Sequence, residues 1–150
     1  MPQSLAKIFL HLVFSTKNRK PTITDAVRDN LHAYMATVLA NLGCHANLIN
    51  SVDDHIHVLF ELARTATVSQ VVEDVKKSSS KWMKTQPEVS GAFAWQSGYG
   101  VFSVSQSNVD AVRAYLANQR EHHRKQSFQD ELRALFTKHQ IVFDERYVWD

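Results

Sequence analysis

The chain has 150 residues, 44% of them apolar and 21% charged, which is the balance of a water-soluble globular domain. A formal net charge of +2 excludes a histone-like polycation, so any affinity for nucleic acid has to come from local patches. The single cysteine, Cys44, excludes an internal disulfide and fits the reducing cytoplasm. The longest apolar run, IFLHLVF, is far shorter than the ~20 residues of a membrane helix, and no signal-peptide cleavage pattern follows it. One cytoplasmic domain over residues 1–150, without membrane contact, is expected.

In chain order, residues 7–14 alternate, with Ile8, Leu10, Leu12 and Phe14 on one face and Lys7, Phe9, His11 and Val13 on the other. That second face is only partly polar, which predicts a central strand. KNRKPTIT follows as a basic loop. Thr24 is placed to cap a helix in which Val27, Leu31, Met35, Val38 and Leu42 keep helical spacing, and Gly43 stands where a left-handed terminal residue is wanted. CHANLINSV and DDHIHVLFELA read as two strands joined by a hairpin turn at the aspartates. A second helix is expected from about Ser69, and FAWQSGYGVFSVS has a strand rhythm bent at Gly98 and Gly100. Ser107 with Asp110 predicts the start of one continuous helix, NVDAVRAYLANQREHHRK. Ser127 with Asp130 repeats that signal before FQDELRALFTKH, and the tail QIVFDERYVWD reads as extended or irregular. This order predicts an α+β fold: a ferredoxin-like (RRM-like) split βαββαβ antiparallel sheet with additional C-terminal helices. In that layout the first and third strands are neighbours, which sets His11 beside His55 and His57.

His55 and His57 are two residues apart on a strand and share a face. Two neutral imidazoles so placed can ligate one divalent ion, or can simply form a solvated sheet face. Tyr115, Gln119 and His122 are spaced i, i+4, i+7 as one helical stripe beside the apolar stripe of Val109, Val112 and Leu116. Alone, a helical tyrosine such as Tyr115 is more commonly a boundary residue with its hydroxyl in water. Asp54, one residue from His55, faces away from it unless the turn redirects the side chain.

DHIHVLF followed by AYLANQREHH resembles the single-tyrosine HUH transposases, the small TnpA-type enzymes of insertion sequences and their relatives associated with repetitive extragenic palindromes (REP). FSTKNR and WQSGYGVFSVS are also similar to segments of that family, so the resemblance runs from about Ile8 to Tyr147. It implies cutting and rejoining of single-stranded DNA, with Tyr115 as nucleophile and a 5′-phosphotyrosine intermediate. It further implies Mg²⁺ or Mn²⁺ on His55, His57 and Gln119, a homodimer, and DNA carrying hairpins as partner. His11, Asp54 and His122 are candidate outer partners of that site. Lys17, Arg19 and Lys20, the lysines Lys76, Lys77, Lys81 and Lys84, and the flank of Arg113, Arg120 and Arg124 are candidate phosphate contacts. Trp95 and Tyr99 are candidate stacking platforms for bases, whereas Phe102 reads as packing. Three rival readings share these residues: a non-catalytic single-stranded nucleic-acid-binding module, a metal-dependent phosphohydrolase using water, and a domesticated relative nicking host palindromes.

Overall fold

The computed structural model describes residues 2–123 and 125–150, with His123 described by its backbone alone. Arg124, part of the expected basic flank, lies outside the described residues. Four strands, β1 (Phe9–Ser15), β2 (His45–Ser51), β3 (His55–Glu61) and β4 (Gly100–Val104), form one antiparallel sheet in the order β2-β3-β1-β4. The helices are α1 (Asp25–Asn41), α2 (Val68–Lys84), α3 (Val109–Ala117), α4 (Gln119–His123) and α5 (Phe128–Lys138). The fold is the expected α+β arrangement, a central β1–β3 pair flanked by β2 and β4, followed by C-terminal helices.

The period of two along each strand divides the sheet into two faces. Leu10, Leu12 and Phe14 of β1 join Ile56, Val58 and Phe60 of β3 on the face packed by α1 and α2, in a core with Leu31, Met35, Val71 and Val75. The opposite face carries His11 and Val13 of β1 and His55, His57 and Leu59 of β3, and this second face is covered too. Val109 and Leu116 of α3 pack on Phe9 and Leu59, while Phe128, Leu132 and Phe136 of α5 pack on Val13 and Phe102. The continuous apolar character of β1 follows from burial on both sides. Gly100 lets α5 sit close, since a Cβ there would lie 3.2 Å from Leu132 Cδ1.

Several local expectations hold and others shift. Gly43 has the positive φ of 78° expected after a helix, and Ser127 Oγ accepts from the amide of Asp130. The second helix starts at Val68, capped by Thr67, whose hydroxyl accepts from the amide of Gln70. The expected fourth strand is interrupted: Trp95 bridges Thr16 beyond the end of β1, residues 97–99 leave the ladder, and regular pairing resumes at Gly100. Lys76 clamps the interruption: its Nζ donates to the carbonyls of Gln96, Ser97 and Gly98 at 2.6, 3.2 and 2.9 Å. Burial lowers the pKa of Lys76 to about 8, and its ammonium belongs to this clamp rather than to a DNA surface. Ser107 does not cap the third helix. Its hydroxyl bonds that of Ser105, and a 3₁₀ turn at Gln106–Asn108 precedes α3.

The continuous helix expected over residues 108–125 is also corrected. Asn118, at φ −105° and ψ 30°, ends α3, and its amide turns to the carbonyl of Tyr115. Asn118 Nδ2 donates to Ala114 O, a local bond of the kind that draws asparagine out of helix interiors. Tyr115 and Gln119 therefore stand on consecutive helices, not on one stripe.

Candidate active site

The site is built on the sheet face under α3 and α5. In register, Val13 opposes His57 and Ser15 opposes His55, so the histidine pair lies at the end of β1 where the basic loop begins. Both imidazoles are fully buried, which corrects the solvated-face alternative: α5 lies over them, with the Phe128 ring 4.7 Å from that of His55. The decisive side chain on that helix is Glu131. Its Oε1 accepts from His57 Nε2 at 2.7 Å and lies 3.5 Å from His55 Nε2, while its Oε2 accepts from the Tyr115 hydroxyl at 2.5 Å. One carboxylate thus joins the tyrosine to both histidines.

The outer nitrogens of the pair are also fixed. His55 Nδ1 donates to Asp54 Oδ1 at 2.7 Å, because Asp54 stands in the β2–β3 turn, which redirects its side chain from the alternation of β3. His57 Nδ1 shares a 2.7 Å hydrogen bond with His11 Nε2, the β1 neighbour expected from strand order. Burial first, then the neighbouring His57, lowers the pKa of His11 to about 3, so it is neutral. Burial acts downwards on His55 as well, but its bonds to Asp54 and Glu131 outweigh it and the pKa is raised. Both Nε2 atoms are thereby turned toward Glu131, with their Nδ1 atoms held from behind, as in histidines that ligate metals.

His55, His57 and Glu131 each offer one ligand atom within 4.8 Å of the others. Two imidazoles and a carboxylate suit a divalent ion whose remaining positions are filled by water or phosphate oxygens. Gln119, at the start of α4, is fully buried, and neither atom of its amide has a hydrogen-bond partner among the described residues. The helix bearing Tyr115 is moored over this region by Asn50, whose Nδ2 donates to Leu116 O at 2.7 Å and which opposes His57 in the sheet.

Tyr115 is half-buried, and its phenol pKa is raised, first by burial and then by the hydrogen bond and charge of Glu131. His122 stacks on its ring at 4.3 Å and 26° despite the break at Asn118. Tyr115, His57 and Glu131 meet within one chain, from α3, β3 and α5.

The other site residues read from sequence scatter. Trp95 is corrected: it is buried edge-on to Phe14 and Phe93, with Nε1 donating to Ser79 Oγ, and is part of the core. Phe102 is core as expected. Tyr99 is exposed. Lys17 and Lys20 are exposed beside the histidine end of the sheet, on a loop tied to the Asp54 turn by the bond from Thr16 N to Asp54 O. Arg19, in the same loop with φ 55°, donates to Trp149 O. Lys77 and Lys81 are exposed on α2, against the opposite face of the sheet. Arg113 is exposed, and Arg120 is paired with Asp25 at 2.5 Å. Asp53, left at the turn by sequence reasoning, accepts from Arg28, which also bonds Asp25 and the carbonyl of Ile23.

Glu131 was missed in the sequence, although a signal for it exists. Phe128, Leu132, Leu135 and Phe136 mark the apolar stripe of α5, and Glu131 falls inside that stripe. An acid there needs a partner to be buried.

The family model described as "Transposase IS200 like" matches residues 4–119. The chain belongs to the IS200-like transposase family. Among curated proteins, none matches this transposase. Its fold is similar to the crystal structure of a candidate transposase from Deinococcus radiodurans R1, at 23% identity and a TM-score of 0.61, covering 79% of this chain and 98% of that one. It is similar also to a REP-associated tyrosine transposase bound to a REP hairpin, at 13% identity and a TM-score of 0.61, covering 82% of this chain and 73% of that one. The family match of this transposase takes in Tyr115 and the histidine pair, whereas Glu131 lies beyond it. No helix among its described residues is long and apolar enough to cross a membrane.

Proposed function

We propose that this transposase cuts and rejoins single-stranded DNA in the cytoplasm, with Tyr115 as nucleophile. The observation that carries the reading is the shared carboxylate: Glu131 bonds the Tyr115 hydroxyl through one oxygen and His57 through the other. Tyr115 Oη forms a bond to phosphorus and the P–O3′ bond breaks, leaving a 5′-phosphotyrosine and a 3′-hydroxyl. The phenol proton passes to Glu131 Oε2, which already accepts its hydrogen bond, and the departing 3′-oxygen takes a proton from water. The covalent phosphodiester conserves the bond energy, so the reverse attack reseals the strand.

His55, His57 and Glu131 would hold Mg²⁺ or Mn²⁺, with the amide oxygen of Gln119 as a fourth protein ligand. Such an ion supplies positive charge against the phosphoryl oxygens as negative charge develops on them. Asp54 and His11 orient the two imidazoles from behind, and His122 fixes the plane of the Tyr115 ring. Lys17 and Lys20, at the histidine end of the sheet, supply phosphate contacts for the incoming strand. Arg19, Lys77, Lys81, Arg113 and Arg120 add to the positive surface, and exposed Tyr99 offers a stacking face. The hairpin bound by the REP-associated transposase of similar fold supports hairpin-bearing DNA as the partner here. A homodimer remains part of the proposal through family resemblance.

The test is incubation with hairpin-bearing single strands from the flanks of the gene, in Mg²⁺ or Mn²⁺, followed by denaturing electrophoresis. A protein–DNA adduct is expected from the parent and not from Tyr115→Phe, His55→Ala or His57→Ala. An adduct that persists in Tyr115→Phe removes Tyr115 as the nucleophile.

A further inference from the structure

A cavity of about 290 Å³ lies between α3 and α5, beside the site. Its inner end is made by Tyr115, Glu131 and His11, the groups that surround the proposed point of attack. Its walls are apolar: Val112 from α3, Leu135 from α5 and Val104 from the sheet. Further polar groups line it toward both ends of α5: the amide of Gln126 before the first turn, and the ammonium of Lys138 and the imidazole of His139 at the last. That is the make-up of a small-ligand site, apolar walls with a few placed polar groups, and its size is near the lower limit of about 300 Å³ for such sites.

We propose that this cavity receives one nucleobase of the DNA strand, from the nucleotide adjacent to the phosphate attacked by Tyr115. The inference rests on Tyr115 being the nucleophile: a phosphate at its hydroxyl carries its own sugar and base directly into the neighbouring space. Ala111 and Ala134 face the cavity from the two helices, and their short side chains leave the slot open. The His139 ring, already stacked on Phe102 at 4.6 Å, and the walls of Val112 and Leu135 give a base surfaces to lie against. Gln126, before the start of α5, offers a donor and an acceptor to the strand on one side of the slot, and Lys138, at the end of α5, offers a charge to a phosphate on the other. An aliphatic ligand would leave Gln126, Lys138 and Glu131 without use. Taking one base out of the stack into a pocket is the means by which enzymes select a position on a strand. The cavity is shared between the stretch matched by the family model, which gives His11, Val104, Val112 and Tyr115, and the residues after it, which give Gln126, Lys138 and His139.

The experiment uses the full chain and a series of single strands from the gene flanks, each with one abasic position moved across the cut. Adduct formation is expected to slow about tenfold or more at one position beside the cut, the scale of one stacked base. Ala134→Trp, which fills the slot, is expected to slow the intact strand comparably and to erase the effect of that abasic position. Ala111→Trp fills the slot from the other wall and serves if Ala134→Trp does not fold by its thermal melt. The proposal is overturned if no single abasic position matters, or if one matters equally in the filled variants. If the parent forms no adduct at all, the reading of Tyr115 fails instead. The cavity is then judged by binding: strands carrying 2-aminopurine at each position are titrated into Tyr115→Phe. One position of altered fluorescence, lost on adding Ala134→Trp, supports the subsite, and uniform fluorescence at all positions overturns it.

Discussion

Glu131 meets Tyr115 and His57 through different oxygens, and its two roles separate under substitution. Glu131→Gln keeps the shape of the side chain but removes the negative charge and one acceptor. It is expected to lower the rate of adduct formation by about 10²–10⁴-fold, the range of a lost general base. The same change releases the Tyr115 phenol from the charge that raises its pKa, so its ultraviolet titration moves to lower pH in the metal-free protein. A phenol titration unchanged in Glu131→Gln, read alongside an unchanged thermal melt, contradicts the contact. Asp54 acts more remotely, through His55 Nδ1. Asp54→Asn is expected to weaken Mn²⁺ binding by about 10–100-fold, measured by calorimetry, with the fold intact.

At the scale of elements, α5 is the piece on which the site depends. Leu132 is buried between that helix and the sheet, so Leu132→Ala is expected to cost about 2–5 kcal/mol in urea unfolding. Amide exchange should then rise first in residues 128–138; if that segment exchanges as in the parent, α5 does not depend on this contact. Element order was legible because hydrophobic periodicity and capping residues are local signals: Thr24, Gly43 and Ser127 stand where the ends fall. The break at Asn118 was not legible, since Val109, Val112 and Leu116 carry a helical pattern up to it without marking a stop. Glu131 escaped because an acid on an amphipathic helix is ordinarily solvated, and only the tertiary seat on Val13 and Phe102 buries this one. Trp95 misled for the converse reason, as an aromatic in a loop sequence that the fold turns inward to Ser79.

For the whole molecule, one buried and one half-buried histidine contribute to the response to acid. Burial lowers the pKa of His32 to about 4, and that of His11 to about 3, from 6.5. Between those values and 6.5 the unfolded chain binds more protons than the folded one, so stability falls as pH drops through this window. For His32, allowing for its partial exposure, the loss is of order 1–2 kcal/mol. The urea midpoint is therefore expected to drop between pH 6.5 and pH 4, and His32→Gln to flatten that drop. The charge pattern gives a second whole-molecule expectation. With a net charge of only +2, DNA affinity has to rest on patches such as Lys17 and Lys20. Replacing both by Ala should reduce the slope of log K against log salt by about 1.4, or about 0.7 per contact on a single strand. An unchanged slope removes that loop from the DNA path.

The carboxylate on α5 also bears on kinship. Tyr115 and both histidines fall within the stretch shared with the family, and Glu131 is contributed by a helix outside it. A change confined to α5 can therefore remove the acid while leaving the nucleophile and the imidazoles in place. Because a carboxylate brings a negative charge that an amide does not, such a change shifts the affinity of the site for a divalent ion while the strand that carries the histidines stays as it is.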